Sequence, residues 1–430
     1  MQKIKKNLKK SKKIIYILLL AFIIRMVWIF LVNTLPTSDF KLMYDTGIEV
    51  ANGNYSSFYE NNYFARFPHD TATVMYISLF FKVIKNPLFL IKFINVIYQT
   101  FCVYMIYLIG KKMYNGKIGR ITALLMTLFP PFIMYCSEIM SENMAIPLFL
   151  ISIYFFIQYI DGNDVLLLFF SGIFLGIGDL FRPVGIIFFI AYILYYIYKK
   201  IILTREKSIL KFLYIITLLI SFLAPKIVFS NILYNNGVLE NQLWNTGEPV
   251  IMNILKGTNI DSIGAWSEYD SLIPEKSNYD NELMKKRAVE IIKSRFSENN
   301  LSKIVVFYFK KLFLQWGIGD FGAYEWTIVN NPGVALSSLT ISVLTPIVYT
   351  INSIYYIFLL LLSIKGVTKL KGYKNSNLIF LYLILLGFIG FYLLTERQAR
   401  YSFICSWIFI LTAGSAFYKK TSKHKKYVML

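Results

Sequence analysis

The chain has 430 residues, of which 56% are hydrophobic, 17% aromatic and 16% charged, and its mean hydropathy is +0.54. A soluble protein of this length cannot bury so much apolar surface, so the composition excludes a soluble globular enzyme and predicts a polytopic membrane protein. The formal net charge of +21 does not indicate nucleic-acid binding, because the lysines lie in short clusters between apolar runs, as the positive-inside rule expects.

Ten apolar segments are predicted to cross the membrane as helices. The first, residues 14–35, makes a helix of roughly 33 Å, which is enough for a hydrocarbon core of about 30 Å. The Lys-rich start before it lacks a small-residue cleavage site, so we expect a retained helix. The predicted spans are 14–35, 88–109, 118–135, 143–160, 165–180, 184–198, 212–233, 335–364, 378–394 and 401–418. The expected fold is a single all-α transmembrane domain over residues 1–430 with about ten transmembrane helices.

The positive charges fix the predicted orientation. Lysine and arginine clusters precede the first span and follow spans 2, 6, 8 and 10, whereas nearly every carboxylate lies on the opposite side. Both termini are therefore expected in the cytoplasm, and the acidic loops on the outer face. Richness in Ile, Lys and Asn is typical of an AT-rich bacterial genome, which predicts a bacterial cell membrane.

Two external regions are predicted. The first, residues 36–87, contains a short apolar segment at 73–85 that is too short to span and is expected to lie on the outer leaflet as an amphipathic helix. The second, residues 234–334 between spans 7 and 8, is longer and carries another amphipathic segment at 301–316. Both segments are predicted to be juxtamembrane helices.

Polar residues inside the spans are few. Arg25 lies near the middle of the first span, where arginine costs about 2.5 to 3.5 kcal/mol on insertion scales, so it is predicted to face a neighbouring helix or a wet cavity. The alternative is snorkelling to the interface. Cys102, Cys136 and Cys405 all lie in apolar segments without CxxC spacing and are interpreted as buried hydrophobes.

Charged residues from four loops form the candidate site on the outer face. They are Asp39, Glu138, Glu142, Asp179, Arg182, Arg397 and Arg400. Acids and arginines that converge at one membrane depth are typical of a functional site, although they can also be interfacial residues that solvate loop ends. Asp179 and Arg182 are three residues apart, so a local ion pair is predicted. Glu138 and Glu142 are four apart and repel one another unless a cation or a hydroxyl-rich ligand lies between them.

Several motifs, in their order and sidedness, carry a resemblance. They are Ser38-Asp39-Phe40 after the first span, the first external loop with its short helix, an acidic loop after the third span, Phe181-Arg182-Pro183 after the fifth, Gly-Thr-Asn-x-x-Ser-x-Gly-x-Trp-x-x-x-Asp over residues 257–270, and Glu396-Arg397-Gln398-Ala399-Arg400-Tyr401 before the last span. The chain resembles the membrane-integral glycosyltransferases of the GT-C class, and within it the bacterial relatives of protein O-mannosyltransferases and lipid A aminoarabinose transferase.

The resemblance implies an inverting hexosyl or pentosyl transfer from a polyprenyl-phosphate sugar donor to an acceptor at the outer face. Asp39 is the expected base for the acceptor hydroxyl. Arg400 is the first choice for binding the donor phosphate, since guanidinium binds phosphate oxygens in a bidentate fork, and Arg397, Arg182 and Arg66 are further candidates.

Further residues are candidates for binding the acceptor, the sugar or a metal. Glu138 and Glu142 can orient the acceptor or, with Asp39, hold a divalent cation such as Mg²⁺ or Mn²⁺. Tyr44, Trp266 and His69 are candidates for sugar or acceptor contact, although such aromatics can equally belong to an interfacial belt, and a loop histidine is often a surface residue. Apart from this divalent cation, which the sequence leaves open, these residues indicate no cofactor.

Two other functions remain open from the sequence. A polysaccharide polymerase or ligase differs in using a long glycan donor. A flippase or transporter for lipid-linked oligosaccharide is expected to show repeated halves and charges along mid-membrane helices. Here the charges within spans are few (Arg25, Lys92, Lys226) and no half-repeat is evident.

Overall fold

A computed structural model of the chain describes residues 2–203, 209–245, 247–334, 336–369 and 377–418. Of the described residues, 77% are helical and none lies in a strand. The predicted all-α architecture is therefore confirmed. Several basic residues that carry the orientation argument, among them Arg205, Lys207 and Lys371, lie outside the described residues.

Nineteen α-helices follow one another along the described residues. They are α1 (Gln2–Leu31), α2 (Ser38–Ala51), α3 (Tyr63–Arg66), α4 (Thr71–Phe81), α5 (Leu88–Met113), α6 (Gly116–Thr127), α7 (Pro131–Met134), α8 (Glu142–Gly162), α9 (Val165–Phe181), α10 (Gly185–Tyr196), α11 (Ile209–Asn235), α12 (Ile251–Gly257), α13 (Glu268–Ser271), α14 (Ile273–Lys276), α15 (Asn281–Ser297), α16 (Leu301–Trp316), α17 (Ser338–Lys369), α18 (Leu378–Leu394) and α19 (Trp407–Gly414). Short 3₁₀ segments cover Ser56–Phe58, Pro68–Asp70, Tyr135–Ser137, Ala399–Cys405 and Ser415–Phe417, and π-helical turns cover Ile197–Ile202 and Glu325–Val329.

Six of these helical stretches in the described part of the chain are long and apolar enough to cross a membrane. They are Lys12–Leu31, Leu88–Met113, Glu142–Gly162, Gly185–Ile202, Phe212–Asn235 and Leu339–Thr368. The number rises to eight if two bent helix pairs each count as one span. Helices α9 and α18 are apolar but have only 17 residues each. The chain is thus a multi-pass membrane protein, while the predicted count of about ten spans is not confirmed.

The two bent helix pairs lie near the candidate site. The axis turns by 67° between Gly116–Thr127 and Pro131–Ser137, where Pro130 and Pro131 remove backbone donors and cannot continue the helix. It turns by 47° between Ala399–Cys405 and Trp407–Phe417. The first break delivers the chain to Glu138, and the second leaves Arg400 in a 3₁₀ turn rather than in a regular span.

The buried side chain of Arg25 donates hydrogen bonds to the backbone carbonyls at the first break. Its side chain is 0% exposed and donates to the carbonyls of Met126 (3.3 Å) and Thr127 (3.4 Å), besides Ala21 in its own helix (3.0 Å). Met126 and Thr127 are the last residues of α6, whose carbonyls have no partner within that helix and carry the negative end of its dipole. Arg25 therefore faces a neighbouring helix, as predicted, and does not snorkel.

Small residues allow the closest helix contacts. Helix α9 packs against both α8 and α11. A Cβ added at Gly176 in α9 would lie 2.3 Å from the carbonyl oxygen of Phe222 in α11, and one at Gly172 would meet the hydroxyl of Ser221 at 1.8 Å. Such close backbone approach is typical of helices that pack within a membrane.

The short helix of the first external loop is packed more deeply than the sequence suggests. Residues 73–81 of the predicted surface segment 73–85 belong to α4, which ends at Phe81 and packs against α2 and α9. Its residues Val74 and Ile77 are 0% exposed, so this helix belongs to the protein core and fixes α2 in place. The second predicted surface segment matches α16 in its bounds. The external placement of residues 36–87 and 234–334 stays a prediction.

Candidate active site

A polar cavity of about 520 Å³ lies where the first loop, the middle loops and the segment before the last span meet. Seven of the ten residues proposed from the sequence line it: Asp39, Arg66, His69, Glu142, Arg182, Trp266 and Arg400. They come from six separate stretches of the chain. The fold thus assembles distant charged loops around one space, as the convergence argument expects.

Asp39 enters the cavity from the beginning of α2. The preceding Ser38 has a φ of +49°, a left-handed conformation that is uncommon for a residue other than glycine and is typical of functional sites. Asp39 lies in the first helical turn, where the helix dipole favours a carboxylate. The Tyr63 hydroxyl lies close to Asp39. Burial and, to a smaller extent, the charge of Asp39 raise the pKa of that hydroxyl.

Arg400 lies among aromatic rings on the same cavity. Its guanidinium carbon is 4.6 Å from the centroid of the Phe40 ring and 4.7 Å from that of Trp326. Because Phe40 directly follows Asp39, this contact ties the beginning of α2 to the arginine. The residue is only 5% exposed, and its Nε donates to the side chain of Gln398 at 3.1 Å.

The remaining donors of Arg400 are poorly satisfied within the protein. Its Nη1 is buried and has no hydrogen-bond partner. Among the described residues, no carboxylate lies within the 4 Å ion-pair distance of its guanidinium. An unpaired buried cation with an unused donor is costly, so the site is suited to an anionic ligand.

The two other arginines on the cavity are already paired. Arg182 Nε lies 3.5 Å from Glu142 Oε1, and its guanidinium lies 4.8 Å from the centroid of the Tyr401 ring. Arg66 forms an ion pair with Glu248, with its Nε 3.0 Å from Oε1. Each of these arginines therefore neutralises a carboxylate at the cavity wall.

The predicted ion pair between Asp179 and Arg182 is wrong. Arg182 turns to Glu142, and Asp179 Oδ1 instead accepts the backbone N–H of Gly185 at 2.7 Å. The helix ends between the two residues, because α9 stops at Phe181 and Pro183 follows, so the spacing of three no longer places them on one helical face.

Three proposed site residues do not line the cavity. Tyr44 packs edge-on against Phe81, with ring centroids 4.9 Å apart. Arg397 holds the loop of the 257–270 motif, because its Nε donates to the carbonyl of Ile263 at 2.9 Å and its backbone N–H to that of Gly264 at 2.6 Å. Glu138 is the third.

Glu138 belongs to a group of three hydrogen-bonded residues, Glu138, Asn331 and Leu35, which we call the brace. Glu138 is 1% exposed, and burial raises its pKa to about 8. Its Oε1 accepts from the amide of Asn331 at 3.3 Å. Asn331 also binds the backbone of Leu35 on both sides, accepting its N–H at 2.8 Å and donating to its carbonyl at 3.0 Å. The brace fixes the chain that leads into Asp39.

Several residues of the cavity wall were not predicted as site residues from the sequence. Lys256 and Glu396 both line it, as do Tyr63 and Tyr401. Burial raises the pKa of Glu396, while Lys256 acts in the opposite direction. Glu396 belongs to the motif at residues 396–401, so the sequence did contain a signal for its place in the site. Lys256 directly precedes the 257–270 motif but looks like one surface lysine among many.

The 257–270 motif forms a compact loop at the cavity mouth. Asn259 donates to Asp270 at 2.9 Å, and Arg295 donates to the other oxygen of Asp270 at 2.6 Å. Trp266, near the end of the loop, is 61% exposed and lines the cavity. The motif is therefore a scaffold that presents an indole at the entrance.

The described residues do not assemble a metal site. No group of three or more His, Cys, Asp or Glu side chains with metal-binding geometry occurs among them. His69 Nε2 lies 3.7 Å from Asp70 Oδ2, which is a pair only. The arrangement of Asp39, Glu138 and Glu142 proposed for Mg²⁺ or Mn²⁺ is not supported, because Glu138 lies in the brace and Glu142 faces Arg182.

Residues 72–229 match the family model described as dolichyl-phosphate-mannose-protein mannosyltransferase. The fold resembles the archaeal oligosaccharyltransferase AglB from Archaeoglobus fulgidus, solved with an inhibitory peptide and a dolichol-phosphate, with a TM-score of 0.53 and 14% identity over 95% of this chain and 50% of that one. The resemblance to the GT-C class is confirmed.

A second structure of the Archaeoglobus fulgidus oligosaccharyltransferase, in the apo form, agrees. It gives a TM-score of 0.51 at 12% identity over 94% of this chain and 50% of that one. The chain thus spans about half the length of these structures, and at such identity the likeness concerns the fold. No curated protein matches the chain in sequence. Together the findings support a membrane glycosyltransferase of the GT-C class.

Proposed function

We propose that this chain transfers a sugar from a polyprenyl-phosphate donor to an acceptor hydroxyl, with inversion, at the outer face of the cell membrane. The observation that carries the proposal is Arg400, a buried cation with an unpaired donor on the cavity that Asp39 also lines. A phosphate is the anion that guanidinium binds best. The family match over residues 72–229 and the dolichol-phosphate bound by AglB support the same donor class.

The proposed reaction assigns one role to each of the two residues. The Asp39 carboxylate accepts the proton of the acceptor hydroxyl as its oxygen attacks the anomeric carbon. The bond from that carbon to the phosphate oxygen breaks on the opposite face of the sugar, and the electron pair stays on the phosphate. Arg400 binds this phosphate, whose negative charge grows during the step, so its hydrogen bonds strengthen in the transition state.

The neighbouring pairs keep the cavity ready for this chemistry. Arg182 neutralises Glu142 and Arg66 neutralises Glu248, so neither carboxylate repels the donor phosphate at close range. Trp266 at the entrance offers an exposed ring face for a sugar or the acceptor. The role of Glu138 proposed from the sequence, acceptor binding, is replaced by positioning of the chain before Asp39.

A donor panel tests the proposal. Purified protein in lipid nanodiscs is incubated with polyprenyl-phosphate sugars that differ in the sugar, together with a mixture of glycan, lipid and peptide acceptors. The proposal expects release of polyprenyl phosphate with at least one donor, coupled to labelling of an acceptor. Movement of intact lipid-linked oligosaccharide across the bilayer without release would instead support a flippase, and transfer only from long glycan chains a polymerase or ligase.

A further inference from the structure

Lys256 is a buried lysine on the wall of the cavity that forms no ion pair in the described part of the chain. It is 9% exposed, and its ammonium lies 5.7 Å from the centroid of the Phe67 ring. Within the described part of the chain it makes no hydrogen bond through its side chain and has no carboxylate within 4 Å. Lysines are seldom buried unless they are paired, so its partner is expected to be a ligand.

The backbone around Lys256 is held on both sides. Arg295 donates to the carbonyl of Leu255 at 2.6 Å, and Lys311 donates to the carbonyl of Gly257 at 2.5 Å. These carbonyls belong to the last turn of α12, where no partner exists within the helix. Lys256 is therefore presented to the cavity from a fixed position between two bound carbonyls.

The Lys311 side chain also joins the segment of Lys256 to the segment that carries Arg400. Lys311 is 0% exposed, and it also donates to the carbonyls of Leu393 and Thr395, at 2.8 Å each. A Cβ added at Gly257 would lie 2.2 Å from the carbonyl oxygen of Leu394, so the end of α12 lies directly against the end of α18. The two unpaired cations of the cavity thus stand on segments that one buried side chain holds together.

Two of the four cations on the cavity form no ion pair within 4 Å among the described residues, although the charge of Lys256 opposes the rise in the pKa of the Glu396 carboxyl. Of its four Lys and Arg side chains, Arg66 and Arg182 are paired with Glu248 and Glu142. Arg400 and Lys256 remain. A sugar phosphodiester carries one negative charge, whereas the phosphate monoester that leaves carries about −1.5 to −2 at neutral pH. A second cation therefore matches the charge that develops as the bond to the sugar breaks.

We propose that Lys256 is a second donor-phosphate ligand, which binds the departing lipid phosphate together with Arg400. This inference rests on the proposed function and names a residue of that same site. Lys256 exchanges no proton in the step: the electron pair of the broken bond stays on the phosphate oxygen, and the acceptor proton goes to Asp39. Loss of the Lys256 charge is expected to weaken binding of the product lipid as well as turnover.

Binding of a lipid phosphate to the full chain tests the inference. The probe is a short-chain polyprenyl monophosphate, and the matched probe is the corresponding polyprenyl alcohol, which lacks the phosphate. Lys256→Gln is expected to weaken binding of the phosphate about ten- to hundredfold, as loss of a hydrogen bond to a charged group does, without changing binding of the alcohol. Lys256→Arg is expected to retain most of the affinity.

The control is Lys293→Gln, because Lys293 is an exposed lysine on α15 away from the cavity. It should bind the phosphate like the wild type. Lys256→Met, with a side chain of similar length, gives a second neutral variant if the glutamine variant does not fold. Wild-type affinity for the phosphate in a folded, neutral variant at position 256 would overturn the inference.

The outcomes separate this inference from the proposed function. If the wild type releases polyprenyl phosphate in the donor panel and the neutral Lys256 variants do so at the same rate, only the role of Lys256 fails. If the wild type binds the lipid phosphate through Lys256 but transfers no sugar from any donor, the phosphate site stands and the transferase proposal fails.

Discussion

Replacing Arg400 with Met is expected to lower activity strongly while leaving stability almost unchanged. The guanidinium lies 4.6 and 4.7 Å from the Phe40 and Trp326 centroids, contacts worth about 0.5 to 2 kcal/mol each. The buried Nη1 without a partner costs about 1 to 3 kcal/mol. These contributions nearly cancel, and Met retains apolar contact with the rings, so the midpoint of thermal unfolding should shift by only about 2 to 4 °C.

The effect on the donor is expected to be much larger. A hydrogen bond between a guanidinium and a phosphate contributes about 1.5 to 3 kcal/mol, which corresponds to a loss of about 10- to 150-fold in kcat/KM for the polyprenyl-phosphate donor. The assay measures kcat/KM and thermal unfolding in the same detergent. Lys286→Met at an exposed position of α15 serves as the control and should change neither.

Two results would refute this reasoning about Arg400. One is a value of kcat/KM within threefold of the wild type, which would show that the donor phosphate does not depend on the guanidinium. The other is a fall of more than about 10 °C in the unfolding midpoint, with activity following the folded fraction, which would make Arg400 a structural residue.

Three further predictions concern the support of the site. Asn331→Ala is expected to lower kcat about 10- to 100-fold with less effect on KM, because Asn331 fixes the chain before Asp39 but does not line the cavity. Steady-state kinetics measure both constants, and an effect on KM alone would contradict this expectation. Glu138 is expected to make the protein less stable as pH rises from about 4.3 to 8, because the folded state holds its proton longer than the unfolded state does. Glu138→Gln should flatten that dependence of the thermal unfolding midpoint on pH, and an unchanged slope would exclude the glutamate as its source. Gly257→Ala should cost about 1 to 3 kcal/mol of stability and reduce activity, because the new Cβ would lie 2.2 Å from the Leu394 carbonyl oxygen. The control is Gly390→Ala, whose new Cβ has no atom within 4 Å, so it should change neither the unfolding midpoint nor the activity.

Much of the fold could be predicted from hydrophobicity and charge. The apolar runs became helices, and α16 begins and ends at the predicted residues. The number of spans could not be fixed in this way, because hydropathy measures length and polarity but not the bend at Pro130 and Pro131. The same limit applies to α4, whose burial against α2 and α9 depends on tertiary contacts and not on its own sequence.

The candidate site was predictable where a charged residue lies beside the end of a predicted span. Asp39, Arg182 and Arg400 were singled out on that basis, and all three line the cavity. Pairing was harder to predict, because it depends on where helices end: Arg182 meets Glu142 rather than the acid three residues before it. Lys256 gave no signal, since the sequence cannot distinguish a buried lysine from a solvated one.

Release of polyprenyl phosphate by the Asp39→Asn variant tests the central claim most directly. The substitution keeps the shape of the side chain and removes the base, and general-base catalysis typically contributes about 10²- to 10⁴-fold. We therefore expect release and acceptor labelling to fall by that factor in the folded variant. Asp45→Asn, on the same helix but outside the cavity and paired with Lys41, should retain wild-type turnover. Turnover undiminished in Asp39→Asn would contradict the account.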